Sequence, residues 1–579
     1  MPEIGESGNI YKDVYLKERP WLKYYPKGMK ETVAIPEISL TEVFNETTDR
    51  WGEKTAIVFY GKKISYRELR EQVDRFATAL QSIGIKKGDT IGLLLLNSPQ
   101  TIIAFYGALK AGAIITPISP IYTSYEVKHQ LDDSGARTVI CLGILYETIE
   151  KTGLKLDNVI ITNLEEYLPI SRKILGKSIV GKISRKMEIP NIPKGYFDDK
   201  PGIYFFQDLI SKHPPKPTEI EINSKEDAAL ISYTGGTTGL PKGIVLTHYS
   251  LMAVRISMFQ KWFQWGDGTE NLIGYLPMYH IYGINTVLIN GILSGSLNIV
   301  LTTPDLDDIL NLSEKYKASL YSGVPSGYKM LADYDKTGRL NWKRFKFLLS
   351  GADSLLEDVA ITWKRRTGVD ILECYGLTEA SGNGLSNVVG KTRIGSAGIP
   401  VPNMKAAVIN PETTEFLPPG EVGELILQHP SIMKGYWNKP EDEKDVFMEI
   451  DAERWLRTGD LFRMGKDGYF YFYDRKADLI KYKGYSVLGR EVEEVLTANS
   501  KVREAGVIGV PDKEAGQFVK ACLVLEREAR GKVSEQEIID WCKERLAHYK
   551  IPRIIEFRGD IPKTDIGKVS RRELKEEVI

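Results

Sequence analysis

From Tyr233 to Gly243 the chain reads Tyr-Thr-Gly-Gly-Thr-Thr-Gly-Leu-Pro-Lys-Gly, and this stretch restricts the fold and the chemistry together. Three threonines, four glycines and Lys242 fall within eleven residues, directly after an apolar run, Ala228 to Ile231, that reads as a buried strand. Glycines let a backbone curl until several N–H groups face one point, while hydroxyls and an ammonium add donors around it. A loop built in this way suits a polyphosphate. It is not the Walker pattern, since no G-x-x-x-x-G-K-[ST] aligns within it. The plainer alternative is a flexible hairpin connection, which glycine and threonine also favour.

At 579 residues the chain exceeds one ordinary core and predicts roughly two to four domains. Lysine plus arginine (77) balances aspartate plus glutamate (77), so no basic excess calls for nucleic acid. Residues Met1 to Asn9 are polar and lack an apolar signal core, and no apolar run approaches the ~18 residues that span a bilayer. The four cysteines, Cys141, Cys374, Cys522 and Cys542, are scattered, which fits a reducing compartment and argues against a thiolate zinc site. The six histidines form no ligand cluster. The expectation is a cytoplasmic enzyme.

The first ~38 residues read as an irregular segment wrapping the surface. A helical stripe follows from Ser65 through Leu69, Val73, Phe76, Ala77 and Leu80, then a strand at Thr90 to Leu96, a helix at Thr101 to Lys110 and a strand at Ala113 to Thr116. The alternation recurs between Ile273 and Leu349 and predicts a mainly parallel sheet covered by helices. Past Val401, short strands and turns predict a β-rich, barrel-like subdomain. From Asp478 onward a compact α+β unit is expected, with a helix at Glu491 to Thr497, strands near Ala505 and Lys520, and a helix at Glu535 to Ala547. The expected division is therefore 1–473, a linker at 474–478, and 479–579. Between Arg172 and Lys186 six basic and no acidic residues interleave with apolar ones. Apolar and basic positions separate poorly on a helical wheel, so a solvated insertion is preferred to a membrane-surface helix.

Four more motifs lie downstream: Tyr375-Gly376-Leu377-Thr378-Glu379, Arg457-Thr458-Gly459-Asp460, Asp474-Arg475 with Lys481-Tyr482-Lys483-Gly484-Tyr485, and Pro562-Lys563-Thr564-Asp565-Ile566-Gly567-Lys568. Singly each reads as a turn, an ion pair or a solvated tail. Together with the Tyr233 loop, in this order, they resemble the acyl-activating, adenylate-forming superfamily over about Ser39 to Glu573. Trp21 to Pro26, Ile115 to Thr123 and His129 to Ala136 further resemble the medium- and long-chain fatty acyl-CoA synthetases.

The resemblance implies an α/β fold: a large N-terminal domain of two mixed sheets flanked by helices, the β-rich subdomain, and a small mobile α+β C-terminal domain. It implies that a fatty acid attacks ATP to give acyl-AMP and pyrophosphate, and that coenzyme A then displaces AMP. Thr234, Gly235, Gly236, Thr237, Thr238, Gly239 and Lys242 would hold the β- and γ-phosphates, and Thr378 the α-phosphate. Glu379 would coordinate Mg²⁺. Tyr375 and Gly376, with the backbone of Ser350, Gly351 and Ala352, would surround adenine, while Asp460 and Arg475 would take the ribose. Lys568 would be the mobile catalytic cation. Lys483, Gly484 and Tyr485 would line the pantetheine path after the small domain rotates, and His280 would face the thiol and the acyl carbonyl unless it is a core histidine.

Two positions depart from the family pattern. Ala477 stands at the pivot where lysine or aspartate is usual, and Gly489 stands where many members have proline in the strand after Tyr485. Tyr282, Gly283 and Gly323 are expected at the acyl tunnel, where small residues leave a long apolar slot. A medium- to long-chain acid is favoured. A short hydroxyacid, an aryl acid or transfer to a carrier protein are the alternatives. A dimer is also expected, and a weak membrane-surface contact through 172–186 is the alternative to the solvated insertion.

Overall fold

The computed structural model describes residues 11–169, 200–234, 241–483, 485–512, 515–563 and 569–577. Gly235, Gly236, Thr237, Thr238, Gly239, Gly484, Lys568 and the basic stretch 172–186 lie outside the described residues.

Two large sheets carry most of the chain. One runs from edge to edge as Gly435–Tyr436, Lys242–Thr247, Ala228–Thr234, Ile114–Pro117, Thr90–Leu94, Thr138–Leu142, Asn158–Thr162 and Ile203–Phe205. Its strands pair in parallel from Ala228–Thr234 to Ile203–Phe205, while Lys242–Thr247 and Gly435–Tyr436 are antiparallel. The second has a parallel centre, Leu372–Gly376, Phe347–Ser350, Leu320–Gly323, Asn271–Gly274, Leu297–Val300 and Thr55–Phe59, with antiparallel strands at both edges. Strands such as Ile114–Pro117 and Thr138–Leu142 are buried throughout, as expected where helices cover both faces of a parallel sheet. The expected helices are present at Tyr66–Ser82 and Pro99–Lys110. Ser65 starts the first through a reciprocal capping box with Glu68, and Ser98 caps the second ahead of Pro99 at its first turn. That proline places the second helix start two residues before the expected one.

Residues Lys405–Ile409, Val422–Gln428, Phe447–Ile450, Glu453–Met464 and Phe470–Arg475 form an antiparallel sheet in which Glu453–Met464 pairs with three neighbours. A separate apolar core begins at Ile480 and holds Val487, Val492, Leu496, Val507, Leu523 and Ile555. Strands Val502–Asp512 and Gly516–Leu525 pair along their length beneath helices Gly489–Thr497 and Glu535–Lys543. The helix Glu535–Lys543 stops short of the expected Ala547, where the Arg545 N–H turns back to the Cys542 carbonyl three residues earlier and tightens the turn. Gly489 is the first residue of a helix rather than part of a strand. A Cβ there would come within 3.0 Å of the Val507 carbonyl.

The N-terminal expectation needs correction. Val14–Glu18 and Pro20–Tyr24 are helical turns, and they are tied into the protein rather than laid over it. Tyr15 and Trp21 are each only 1% exposed, the Trp21 ring lies edge-on to Phe470 at 5.7 Å, and Tyr15 donates to the Leu417 carbonyl. The aromatic residues noted in the sequence are anchors onto the antiparallel sheet. Among the described residues no helix is long and apolar enough to cross a membrane.

Two histidines are buried as neutral rings. His248 accepts the Leu40 N–H through Nδ1, and burial pushes its pKa down to about 4. His429 sits with Ser431 and the Pro402 carbonyl, and burial pushes it down to about 3. The unfolded chain takes up these protons first, near the ordinary value of 6.5, so folding is fully supported above that pH and loses support as pH falls toward the folded values. Stability should drop by about 2 kcal/mol per histidine between pH 7 and pH 5, read by urea denaturation. His429→Gln should flatten part of that slope. Trp21→Ala should cost about 3–5 kcal/mol in the same assay.

Candidate active site

The glycine-threonine stretch joins two antiparallel strands, with Thr234 opposite Lys242 and Tyr233 opposite Gly243. It is thus a hairpin connection, and the hairpin opens at the carboxyl end of Ala228–Thr234, where ligands gather on parallel sheets. Its base is braced by residues that the sequence reading left without a role. The Tyr233 hydroxyl donates to Asp133 Oδ2 at 2.7 Å, and Lys439 pairs with the other oxygen at 3.1 Å. His129 donates its Nε2–H to the Pro241 carbonyl at 2.9 Å. Both His129 and Asp133 come from the stretch that carried the narrower family likeness. Lys242 pairs with Asp442 at 2.7 Å and stands 5.2 Å over the Tyr436 ring.

Across the opening, Leu372–Gly376 ends in the turn Thr378–Ala380. The Tyr375 hydroxyl donates to Asp460 Oδ2 at 2.7 Å, and the ring meets Phe462 edge-on at 4.8 Å. Asp460 faces Arg475 in strand register, and the guanidinium lies 3.7 Å from its Oδ1. Gly376 approaches the Gly382 carbonyl so closely that a Cβ would sit 2.4 Å from it. Ala352, after Gly351, holds a left-handed backbone with φ of 72°, a strain of about 1–2 kcal/mol for a residue with a side chain. Gly351 receives its own hold from the Gly323 carbonyl, 3.2 Å from its N–H.

The Arg457-Thr458-Gly459-Asp460 motif has an internal logic. Arg457 pairs with Glu424 at 2.5 Å, and the Gly459 N–H donates to the other Glu424 oxygen at 3.2 Å. Thr458 Oγ1 accepts the Asp460 N–H at 3.1 Å. Glu424, 2% exposed, also takes Lys476 at 3.4 Å. No sequence signal marked Glu424, because its partners lie more than thirty residues away.

Glu379 is half-buried, and burial pushes its carboxyl pKa up, with Asp460 adding to the rise and Arg475 opposing it. Among the described residues no ion pair neutralises it. A magnesium ion in a nucleotide site needs one or two carboxylates besides phosphates and water, and a desolvated carboxylate of this kind suits it. Thr378 beside it is 7% exposed.

His280 is half-buried, so it is not a core histidine. Its Nδ1 accepts the Tyr282 N–H at 3.2 Å and caps the turn Ile281–Gly283, which leaves the proton of the neutral ring on Nε2. The expected acyl slot needs correction at Gly283 and Gly323. A Cβ on Gly283 would lie 2.0 Å from the Pro277 carbonyl, so that glycine serves backbone packing. At Gly323 a Cβ would meet the Tyr275 hydroxyl at 2.6 Å and the rings of Tyr321 and Tyr328 at 3.0 and 3.1 Å. At both glycines the room for a side chain is already taken, by backbone carbonyls at Gly283 and by tyrosines at Gly323. Lys483 has φ of 48° and an exposed side chain, well apart from the Tyr375–Asp460 pair in sequence and held by its N–H to Ala515.

Glu424→Gln would leave Arg457 and Lys476 facing a neutral amide. A loss of about 3–5 kcal/mol is expected, the usual cost of halving a buried ion pair, measured by denaturation. An unchanged midpoint would contradict the bracing role.

Comparison with known proteins agrees with this geometry. Residues 44–437 match the AMP-binding enzyme family, and residues 491–568 match the AMP-binding enzyme C-terminal domain. The long-chain-fatty-acid–CoA ligase of Bacillus subtilis is 36% identical over 97% of this chain and 98% of its own. The ligase of the same name from Escherichia coli is 31% identical over 97% and 98%. Among solved structures, ATP-bound MatB from Rhodopseudomonas palustris superimposes with a TM-score of 0.79 at 26% identity, covering 93% of this chain and 99% of that one. A benzoate CoA ligase from Burkholderia xenovorans gives 0.77 at 25% identity over 93% and 100%. The chain belongs to the AMP-binding enzyme family of acyl-activating ligases.

Proposed function

We propose that the protein joins a long-chain fatty acid to coenzyme A by way of an acyl-adenylate. The observation that carries this reading is the Tyr375–Asp460 hydrogen bond with Arg475 beside it. A carboxylate oriented in this manner can accept both hydroxyls of a ribose while the hairpin takes the phosphates.

In the first step a carboxylate oxygen of the acid attacks the α-phosphorus, and pyrophosphate leaves with the electrons of the broken P–O bond. Both reactants are anions, so the barrier falls chiefly through placed donors and cations. We assign Thr234, Gly235, Gly236, Thr237, Thr238, Gly239 and Lys242 to the β- and γ-phosphates, Thr378 to the α-phosphate, and Tyr375, Gly376, Gly351 and Ala352 to adenine. Lys568 is assigned to the charge building between carboxylate and phosphate. Glu379 is assigned to hold Mg²⁺, which supplies positive charge against the polyphosphate when bound. In the second step the coenzyme A sulfur attacks the acyl carbonyl, AMP leaves with the bonding electrons, and the thiol proton is released. Lys483, Gly484 and Tyr485 are assigned to the pantetheine path, and the His280 Nε2–H can donate to the acyl carbonyl.

The separate apolar cores before Phe470 and after Ile480 support a pivot at 474–478 between units 1–473 and 479–579. A dimer, a cytoplasmic location and a weak membrane-surface affinity through 172–186 belong to the same proposal. The names of the relatives at 31–36% identity support a long-chain acid. An aryl acid is the second reading, favoured by the tyrosines around Gly323 and by the likeness to a benzoate ligase.

Thioester formation across straight-chain acids of about four to eighteen carbons, with benzoate alongside, decides between them, since each added CH₂ in an apolar slot gains ~0.8 kcal/mol. Rates that climb with chain length are expected. A maximum at benzoate or at four carbons would overturn the choice of acid. Lys568→Ala should slow adenylation on the order of 10²–10³-fold while still converting supplied acyl-AMP to thioester. Asp460→Asn should raise the KM for ATP about tenfold, the equivalent of one charge-assisted hydrogen bond.

A further inference from the structure

Ala477 offers no polar group at the pivot, yet the pivot is surrounded by buried charge. Asp474, the first residue of the pivot, still lies in the strand Phe470–Arg475 of the larger unit's antiparallel sheet and is fully buried, while Asp478, two residues of chain beyond Lys476, is 8% exposed at its side chain. Glu493, on helix Gly489–Thr497 of the smaller unit, is 16% exposed at its side chain. These three carboxylates meet on one guanidinium. Arg571 reaches Asp474 Oδ1 at 3.2 Å, Asp478 Oδ2 at 3.6 Å and both oxygens of Glu493 at 2.7 and 3.2 Å. Only an arginine fork can serve several carboxylates at once in this way.

The remaining valences around the cluster are also taken. Asp474 Oδ2 accepts the Arg490 N–H at 3.1 Å, so a carboxylate of the larger unit sits at the amino end of a nine-residue helix of the smaller one. Lys575, one turn beyond Arg571, adds its ammonium to Asp478 at 3.1 Å. Arg490 itself donates to Ser354, in the loop that follows Gly351 and Ala352, and stacks 5.2 Å from the Phe472 ring. Arg571 follows closely on the lysine motif: Val569 bridges back to Lys563, and the Ser570 N–H donates to the Pro562 carbonyl at 2.8 Å. The chain that carries the motif is thereby returned to the pivot.

We propose that Arg571 is the positioning residue of the domain pivot, a clamp that fixes the orientation of the smaller unit by gathering Asp474, Asp478 and Glu493 from both sides of Ala477. Removing the guanidinium leaves three buried carboxylates in mutual repulsion, and the chain relieves this by turning about 476–478. The clamp supplies the polar contact that Ala477 lacks. The proposal rests on the two-step reading above, because a pivot matters only if two orientations serve two reactions.

Two readouts test it on the full-length protein. The first is trypsin cleavage of the bond after Lys476, followed by mass spectrometry without any substrate, so its result stands apart from whether an acyl-AMP forms. Arg571→Gln should raise cleavage there at least about tenfold, the equivalent of 1.4 kcal/mol of opening, and Arg571→Lys, which keeps a charge but loses the fork, should fall between. The second is the ratio of acyl-AMP formation to thioester formation from supplied acyl-AMP, which should shift by a similar factor in both variants. Asp478→Asn should add less to Arg571→Gln than it costs alone. Unchanged cleavage after Lys476 in Arg571→Lys and Arg571→Gln would overturn the clamp. So would an equal fall of both half-reactions, which marks a merely structural role.

Discussion

The structure turns on one electrostatic constraint: carboxylates must be held inside a site meant to receive polyanions. Asp460 meets it with a tyrosine hydroxyl on one oxygen and Arg475 near the other. Arg475, which faces Asp460, and its neighbour Asp474, which faces Arg571, follow each other in one strand. Several carboxylates in this region are bound by donors drawn from distant parts of the sequence. Glu424 holds Arg457 and Lys476, and Asp133 holds Tyr233 and Lys439. Burial without such partners would neutralise these groups rather than leave them charged. Glu379, half-buried with its carboxyl pKa pushed up, is the carboxylate for which a divalent cation is the fitting counter-charge.

The same constraint explains why apparently structural motifs recur at the opening. The Arg457 to Asp460 segment, an irregular point in the strand Glu453–Met464, is a device for aiming one carboxylate: Arg457 and Gly459 bind Glu424, and Thr458 takes the Asp460 N–H. Tyr233 and Pro241, at the base of the hairpin, are likewise held by Asp133 and His129, from a helix far upstream. Preorganisation of this kind means that donors are oriented before charge develops, which is where electrostatic catalysis gains most.

Much of the fold could be read along the chain, because hydrophobic period and capping are local. Tyr66–Ser82 follows its apolar stripe and its Ser65–Glu68 box, and Thr90–Leu94 is the apolar run expected of a strand covered on both faces. The motifs at Tyr233, Tyr375 and Asp460 were legible for the same reason, since each is short. What escaped was long-range. Trp21 is anchored to Phe470 and Tyr15 to Leu417, contacts across some four hundred residues that no local pattern reports. Gly283 and Gly323 looked like room for an acyl chain, but a glycine signals only that something is close, and here it is a carbonyl and three tyrosines. His280 reads as core or catalytic from the sequence, and its place as a half-buried cap of the turn Ile281–Gly283 sets the core reading aside.

The central claim is that a carboxylate oxygen of the acid forms a bond to the α-phosphorus of ATP. Hexadecanoate labelled with ¹⁸O in its carboxyl group, turned over with ATP, magnesium and coenzyme A, follows that oxygen directly. Attack by the carboxylate followed by acyl transfer leaves one labelled oxygen in AMP, which mass spectrometry of the nucleotide detects. Label in pyrophosphate or inorganic phosphate, or AMP that carries none while thioester accumulates, would contradict the account.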